Sequence, residues 1–282
     1  MNKFYIQIVF FLLNTFVYVN NKAFAAELAP EIATTSERPC RCVTAKEIYE
    51  RNKDLLCTNP KETKEAEELM NEAVKQLEIH ATDMSNYKIY VACVNPDAIL
   101  YKKQLENKTD VEKVEYSVYG SYKYNKIINE IWNPDHTNFL NPGDVKITRV
   151  YNPNLVMIQQ RYKKKSGSSQ KYFYALATKA QISENTTIIA YTSADINDHH
   201  PSKKKYENKI IQKANSFKTD INSEEDIKNG KLRKTFVNLA GYHIQKRGSC
   251  VDITYIESID GHASIKYSPF CGTFSNGYYL NA

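Results

Sequence analysis

Glycine is scarce in this chain of 282 residues, which contains only nine. Few glycines leave little material for phosphate-cradling loops, and neither a Gly-x-Ser-x-Gly elbow nor a Gly-x-Gly-x-x-Gly turn occurs. The histidines lack His-x-x-x-His and Glu-x-x-His spacing, so the pair His199-His200, which follows Asp195 and Asp198, predicts a solvated loop better than a metal site. Cys250, with His243 nearby, lacks a third residue to orient a nucleophile and base. We therefore predict no enzymatic activity, no metal and no cofactor.

Long hydrophobic runs are missing after the first 25 residues. Residues 4–19 are mostly apolar, follow Lys3 and precede Ala23-Phe24-Ala25, which fits the small-x-small cleavage pattern. The run is shorter than the roughly 20 residues that a membrane-spanning helix needs. We predict that residues 1–25 are a cleaved signal peptide and that the mature protein is secreted. Loss of two lysines, Lys3 and Lys22, would lower the formal net charge from +6 to +4.

A charge this mild gives only a modest attraction to anionic membrane surfaces. Two lysine runs, at 163–165 and 203–205, fall in predicted loops and have no interleaved aromatic residues, so they do not indicate nucleic-acid binding. Solvated loops are the favoured interpretation of both runs, and a membrane-docking patch is the alternative.

Six cysteines are present, and in a secreted protein they can oxidise. Cys40 and Cys42 are too close together to form a Cys-x-x-Cys redox pair. We favour a disulfide between one of them and Cys57, across the first predicted helix. Asn107 and Asn185 begin glycosylation sequons, which predicts that both are exposed.

Two helices are predicted near the start, after a leader over residues 26–43. Thr44 and Glu47 have capping-box spacing, which predicts a short helix to about residue 56. Asn59-Pro60 predicts the start of a second helix, because proline is favoured at the first helical position. Its apolar residues recur at three- and four-residue steps and form one stripe: Ala66, Leu69, Met70, Ala73, Val74 and Leu77. Such a stripe is typical of packing on its own domain, and binding to a partner is the alternative.

Strand patterns dominate from about residue 87. They predict strands over 87–94, 98–104, 111–118, 145–151, 155–162, 171–177 and 187–193, and a final hairpin over 234–246 and 250–259. Helices are predicted over 126–132 and 206–214. Because strands and helices do not alternate regularly, a doubly wound sheet is excluded and the fold class is α+β. The strands between 145 and 193 carry apolar, aromatic and polar residues on both parities, which favours a curved antiparallel sheet around a partly apolar ligand.

A family resemblance rests on short strings that recur in order. They include Ile128-Asn129-Glu130-Ile131-Trp132, Ile158-Gln159-Gln160-Arg161-Tyr162 and the segments 149–151, 174–177, 193–199, 214–217 and 221–226. Over roughly residues 84–264 the chain resembles the fam-a proteins of malaria parasites, a secreted family with a START-like lipid-binding domain. The resemblance implies a helix-grip fold, in which a bent antiparallel sheet surrounds a tunnel that a long carboxy-terminal helix closes.

The resemblance also implies a function without bond chemistry. Proteins of this kind bind one phospholipid, often phosphatidylcholine, and move it between membranes. Within that interpretation we assign Arg161 to the phosphate, and Tyr162, Tyr172, Tyr174 and Tyr191 to the headgroup and the wall. Neighbouring strand residues point to opposite faces, so Arg161 and Tyr162 cannot both face the tunnel without a bulge. Trp132 is expected to anchor its helix in the core.

The chain departs from the family pattern after residue 264. Pro269, Gly272 and Gly277 are incompatible with a continuous helix, so the lid helix is expected to be missing and the carboxy terminus truncated. The predicted organisation is a signal peptide at 1–25, a leader and helical segment at 26–83, and a START-like domain at 84–282. We expect a monomer that meets a phospholipid and, transiently, a membrane surface. The parasitophorous vacuole or the host-cell side is the expected location. The alternative function is a degenerate START-like binding or antigenic surface protein without transfer activity.

Overall fold

The structure is a computed structural model that describes residues 43–92, 98–136, 140–164, 166–202 and 204–265. These residues belong to one compact unit. Four predicted segments lie outside the described residues, so what we expect of them stays a prediction: the signal peptide, the leader up to residue 42, the turn at 95–97 and the tail from residue 266. Cys57 and Cys250 carry free thiols, so the disulfide expected between Cys57 and either Cys40 or Cys42 is contradicted.

Both amino-terminal helices form where their capping residues predict them. Helix α1 spans Ala45–Arg51, and Thr44 and Glu47 complete the reciprocal capping box; a 3-10 turn over Lys53–Leu55 follows. Helix α2 spans Pro60–Thr82, and the Asn59 side chain accepts hydrogen bonds from two backbone N–H groups of its first turn. All six residues of the predicted stripe on α2 are buried. Within the described chain no helix is long and apolar enough to cross a membrane.

One large antiparallel sheet forms the body of the protein, which confirms the α+β class. Its main strands are β1 Lys88–Ala92, β2 Ile99–Gln104, β3 Asp110–Tyr119, β4 Gly143–Asn152, β5 Leu155–Tyr162, β6 Lys171–Ser183, β7 Thr186–Thr192, β11 Phe236–Arg247 and β12 Cys250–Asp260. They lie side by side in the order β1-β2-β3-β12-β11-β7-β6-β5-β4. Register shifts in β1, β4, β6 and β11 mark bulges, which bend and twist strands.

The sheet has a buried face on each side. Helix α2 packs against β6, β7, β11 and β12. The strand residues that share a hydrophobic core with α2 are alternate residues of each strand, which on β6 are Tyr172, Tyr174 and Leu176. Helix α3 spans Tyr124–Trp132 and shares a second core with the intervening strand residues, which point to the opposite side of the sheet and on β6 include Phe173 and Ala175. We call these the α2 face and the α3 face. Because both are covered, apolar residues occur on both parities, which is the mixed pattern seen in the sequence.

Gly241 in β11 allows the sheet and α2 to come close together. Its φ of +148° is one that other residues rarely adopt. A Cβ added there would lie 2.1 Å from the carbonyl oxygen of Ile189 and 2.5 Å from a methyl carbon of Leu77. Only glycine therefore fits between β7 and α2.

The predicted helix over 206–214 is wrong. Only a 3-10 turn forms at its end, over Gln212–Asn215. The side chain of Asn208 explains the difference: its amide donates to the Asn238 and Ser193 carbonyls, and its oxygen accepts from the N–H groups of Ile210 and Ile211. Asparagine that bonds the local backbone in this way competes with the helix.

The structure also contains elements that the sequence patterns did not predict. Strands β8, Asp195–Asn197, and β9, Lys218–Asp220, form a parallel pair. Strand β10, Arg233–Lys234, lies parallel to β6, and the short helix α4 spans Glu225–Lys228. These elements are two to four residues long, too short to show a period.

Candidate functional site

A mostly apolar cavity lies on the α3 face, between α3, the segment that follows it, and the sheet. It is bounded by Ile131, Trp132, Asn133, Pro134, His136, Asn141, Val145, Ile147, Val156, Ile158, Gln160, Phe173, Ala177, Tyr191, Ala240 and Tyr255. Its volume is about 50 Å³, well below the roughly 300–1,000 Å³ of typical ligand pockets. In this conformation the cavity does not hold an acyl chain, so a larger ligand requires α3 or its following segment to move.

Trp132 ends α3 at the wall of this cavity. The side chain is 7% exposed, and its indole N–H has no hydrogen-bond partner among the described residues. Burying an amide-like donor without a partner is unfavourable, and native structures contain few such groups. Trp132 therefore combines a place in the cavity wall with a buried donor that has no partner.

The five residues assigned to lipid in the sequence lie on two opposite faces. Tyr162 and Tyr191 are on the α3 face, where Tyr191 lines the cavity and Tyr162 packs on the neighbouring core residue Phe173. Arg161, Tyr172 and Tyr174 are on the α2 face. No bulge interrupts the pairing of β5 at Arg161 and Tyr162, so their side chains stay on opposite sides of the sheet. The five candidates therefore form two sets on opposite faces, as the alternation along β5 predicts for Arg161 and Tyr162.

Arg161 is bonded to acidic partners on its own face. Its guanidinium donates to both carboxylate oxygens of Asp226, at 2.6 and 3.0 Å, and to Glu224 at 3.2 Å. A bidentate arginine–carboxylate pair is among the strongest polar contacts in proteins. These hydrogen bonds hold the pKa of the Asp226 carboxyl below its ordinary value. The assignment of Arg161 to a lipid phosphate is corrected, because its donors are already bonded away from the cavity.

Tyr172 and Tyr174 are also satisfied within the α2 face. The Tyr172 hydroxyl donates to Asp198 at 2.8 Å, and the Tyr174 hydroxyl accepts from Gln159 at 2.5 Å. Burial raises the pKa of both hydroxyls, so they are neutral. Their rings fill the core under α2, and their assignment to the lipid wall is corrected.

A buried carboxyl group lies beside the cavity on the α3 face. Glu257 of β12 accepts a hydrogen bond of 2.7 Å from Tyr255, which lines the cavity, and is the cross-strand neighbour of Glu112. Burial, and to a lesser degree the nearby charge of Glu112, raises the pKa of Glu257 to about 8. The neutral acid therefore predominates at pH 7, and the 3.9 Å approach of His262 to Glu257 is a polar contact more than an ion pair.

The residues suggested by the catalytic alternatives have ordinary partners. The His199 ring is 3.1 Å from Asp220, and the His200 ring is 2.9 Å from the Leu232 carbonyl oxygen. Within the described ranges no group of three or more His, Cys, Asp or Glu side chains is arranged to hold a metal.

Sequence reasoning missed most of the cavity wall. Trp132, expected to be a core anchor, lines it, as do Gln160 and Phe173. Alternation along the strands could have indicated Gln160 and Phe173, because it places Gln160 on the same face as Tyr162 and Phe173 on the same face as Ala175.

Comparison with known proteins gives a likeness of fold. No protein-family model matches the chain, and no curated protein sequence matches it. Among solved structures the chain is similar to human StAR-related lipid transfer protein 5, with 13% identity and a TM-score of 0.49 over 71% of this chain and 84% of that one. It is also similar to human STARD10, with 13% identity and a TM-score of 0.43 over 68% and 67%. A third is the STAR-related lipid transfer protein fragment from Xanthomonas axonopodis, with 8% identity and a TM-score of 0.43 over 64% and 86%. At these values the likeness concerns the chain trace and assigns no ligand and no residue role to this protein.

Proposed function

We propose that this protein binds a phospholipid on the α3 face of its sheet and carries it between membranes. The observation that supports the proposal most is the cavity wall itself. Aromatic and aliphatic side chains surround a space next to the unpartnered, buried N–H group of Trp132. The sequence resemblance to a lipid-binding family points to the same class of ligand.

The energetics of such a site come from burial. Each methylene that leaves water contributes roughly 0.8 kcal/mol, which offsets the cost of extracting the lipid from a bilayer. The cavity of about 50 Å³ has to enlarge for this, and α3 is the element we expect to move. It is nine residues long, and at its first residue the Tyr124 hydroxyl meets the Thr187 hydroxyl of the sheet at 2.8 Å.

Phosphatidylcholine is the cargo that we propose. Trp132, Phe173 and Tyr191 present aromatic rings to the cavity, and the face of an aromatic ring attracts a quaternary ammonium group. Lipid phosphate or ester oxygens would be acceptors for the Trp132 N–H. Arg161 has no part in this arrangement, and of the five sequence-assigned residues only Tyr162 and Tyr191 remain candidates.

Secretion is part of the proposal and rests on the predicted signal peptide over residues 1–25. Transfer would then take place outside the cell that makes the protein, in the vacuole or on the host side. A degenerate binding or antigenic protein without transfer activity is the competing function.

A pair of substitutions in one strand tests the site. Ala177→Leu in β6 adds side-chain volume at the cavity wall, whereas Ala180→Leu adds the same volume on the opposite parity, where Ala180 packs with the α2 core. We expect Ala177→Leu to weaken binding of a fluorescent phosphatidylcholine about tenfold, or about 1.4 kcal/mol, and Ala180→Leu to leave it within about twofold. Equal affinities for both variants and the unsubstituted protein would overturn the cavity assignment.

Transfer is measured separately, between donor and acceptor vesicles at equal folded protein concentration. The proposed function is supported if the unsubstituted protein transfers phosphatidylcholine and Ala177→Leu transfers it more slowly. Binding without any acceleration of transfer would favour the competing, non-transferring function.

A further inference from the structure

A second cleft lies between the first half of α3 and the ends of the β6–β7 hairpin, outside the apolar cavity. Its volume is about 640 Å³, large enough for a small ligand or a headgroup. Tyr124, Asn125 and Asn129 of α3 form one wall. Lys179 of β6, Asn185 of the hairpin and Lys246 of β11 form the other. The lining is polar and rich in amide and ammonium donors, in contrast to the apolar cavity.

Lys179 is the unusual residue in this cleft. It is half-buried, and burial lowers the pKa of its ammonium group. No carboxylate pairs with it among the described residues; the one acidic residue in the lining, Glu184, is exposed and does not perturb it. Its Nζ lies over the face of the Trp132 ring, 5.8 Å from the ring centroid. A cation removed from water without an anion is costly, so an anionic ligand would be favourable there.

Several buried or half-buried cations of the described chain have a carboxylate partner. Arg161 has Asp226, Arg149 has Glu62, and the fully buried Lys113 has Glu115 at 3.3 Å. Lys179 has no carboxylate partner among the described residues, although the cleft leaves room for an anion.

We infer that this cleft binds a phosphate group, with Lys179 and Lys246 as its cations and the asparagine amides as further donors. Ammonium and amide groups are the donors that a tetrahedral phosphate accepts from. The phosphate could belong to a headgroup at a membrane surface or to a free phosphorylated molecule, since the chemistry presented to the cleft is the same. The inference is independent of whether the apolar cavity takes a lipid.

The single tryptophan of the chain, Trp132, supplies the measurement, because Lys179 lies over its ring. Titration with inorganic phosphate at constant ionic strength should change Trp132 fluorescence with saturation and raise the melting temperature. Lys179→Gln should weaken binding at least tenfold, while Lys179→Arg, which keeps the charge, should retain most of it. Lys231→Gln removes an exposed lysine outside the cleft and should behave like the unsubstituted protein.

Lys179→Gln changes a side chain that lies over the fluorophore and could alter its fluorescence directly, whereas Lys246→Gln leaves the Lys179–Trp132 contact in place. We expect it to weaken phosphate binding a few-fold by both fluorescence and melting temperature. The inference is overturned if the unsubstituted protein shows no saturable response to phosphate. It is also overturned if Lys179→Gln, shown to be folded by circular dichroism, responds as the unsubstituted protein does.

The source of the phosphate is assigned with two further probes. A membrane headgroup is identified if the protein is retained on vesicles of phosphatidylcholine with phosphatidic acid but not on vesicles of phosphatidylcholine alone. Lys179→Gln should then abolish that retention. Saturable binding of glycerol phosphate without vesicle retention would identify a free ligand. None of these measurements uses the Ala177 and Ala180 variants, so this cleft and the proposed lipid cavity can fail separately.

Discussion

The two faces of the sheet use alternate residues of the same strands, yet their polar groups are satisfied to different degrees. On the α2 face, Arg161 is bonded to Asp226 and Glu224, and Tyr172 to Asp198, which also pairs with Lys234. On the α3 face, Glu257 is a buried acid, the Trp132 N–H has no partner, and Lys179 has no anion among the described residues.

The difference separates groups that stabilise the fold from groups available to a ligand. On the α2 face, Arg161, Tyr172 and Tyr174 are bonded to side chains of the protein itself, so these three do not need a ligand to complete their hydrogen bonds. On the α3 face the unsatisfied groups are buried or half-buried at the expense of stability, as is common at functional sites. The following substitutions test that division.

The largest effect is expected at Gly241, where β7, β11 and α2 meet. Gly241→Ala should lower the free energy of unfolding by about 3–5 kcal/mol, because the new Cβ would overlap the Ile189 carbonyl and Leu77. Gly248→Ala is the control: it also has a positive φ but no atom within 4 Å, so only about 1 kcal/mol should be lost. Chemical denaturation of both variants measures the difference, and similar losses would show that close packing of the α2 face is not the cause.

Glu257 should make the stability depend on pH. Its folded pKa of about 8 lies above the unfolded value of about 4.5, so the folded state holds the proton more tightly. The contribution of this tighter proton binding to the free energy of unfolding is fully present below about pH 4.5 and is lost as the pH rises through 8. The free energy of unfolding then falls by up to about 1.4 kcal/mol per pH unit. Glu257→Gln should remove this pH dependence, and at pH 8 its free energy of unfolding should exceed that of the unsubstituted protein by a few kcal/mol.

Denaturation curves from pH 5 to pH 9 provide the comparison for Glu257. The exposed Glu106, changed to Gln, is the control and should leave the pH dependence unaltered. A profile that is the same with and without Glu257 would mean that its carboxyl ionises normally in the folded protein.

A smaller effect is expected at Arg161, whose side chain is 21% exposed. Arg161→Gln removes the bidentate pair with Asp226 and should cost about 1–2 kcal/mol of stability. Binding of fluorescent phosphatidylcholine should remain within about twofold, because the residue lies on the α2 face. A large loss of lipid affinity in a folded Arg161→Gln protein would return this arginine to the binding site and contradict the division between the two faces.

Much of the architecture could be predicted because its signals are local. The capping residues Thr44 and Asn59 and the stripe on α2 depend on residues three or four apart. The strands of the sheet follow from short runs rich in β-branched and aromatic residues and from the turn residues that bound them. The helix predicted over 206–214 failed because the side chain of Asn208 bonds Ser193 and Asn238, which are distant in sequence and therefore invisible to a local pattern.

The amino-acid sequence by itself determined the α+β class, the two amino-terminal helices, and the rule that Arg161 and Tyr162 face opposite sides of β5. Only the tertiary structure decided which side is which. Helix α2 covers the face of Arg161, Tyr172 and Tyr174, while α3 leaves the cavity and the polar cleft on the face of Gln160, Phe173 and Lys179. The physical reason is that a strand's period assigns residues to two faces, whereas long-range packing decides which face acquires satisfied partners and which keeps space for a ligand.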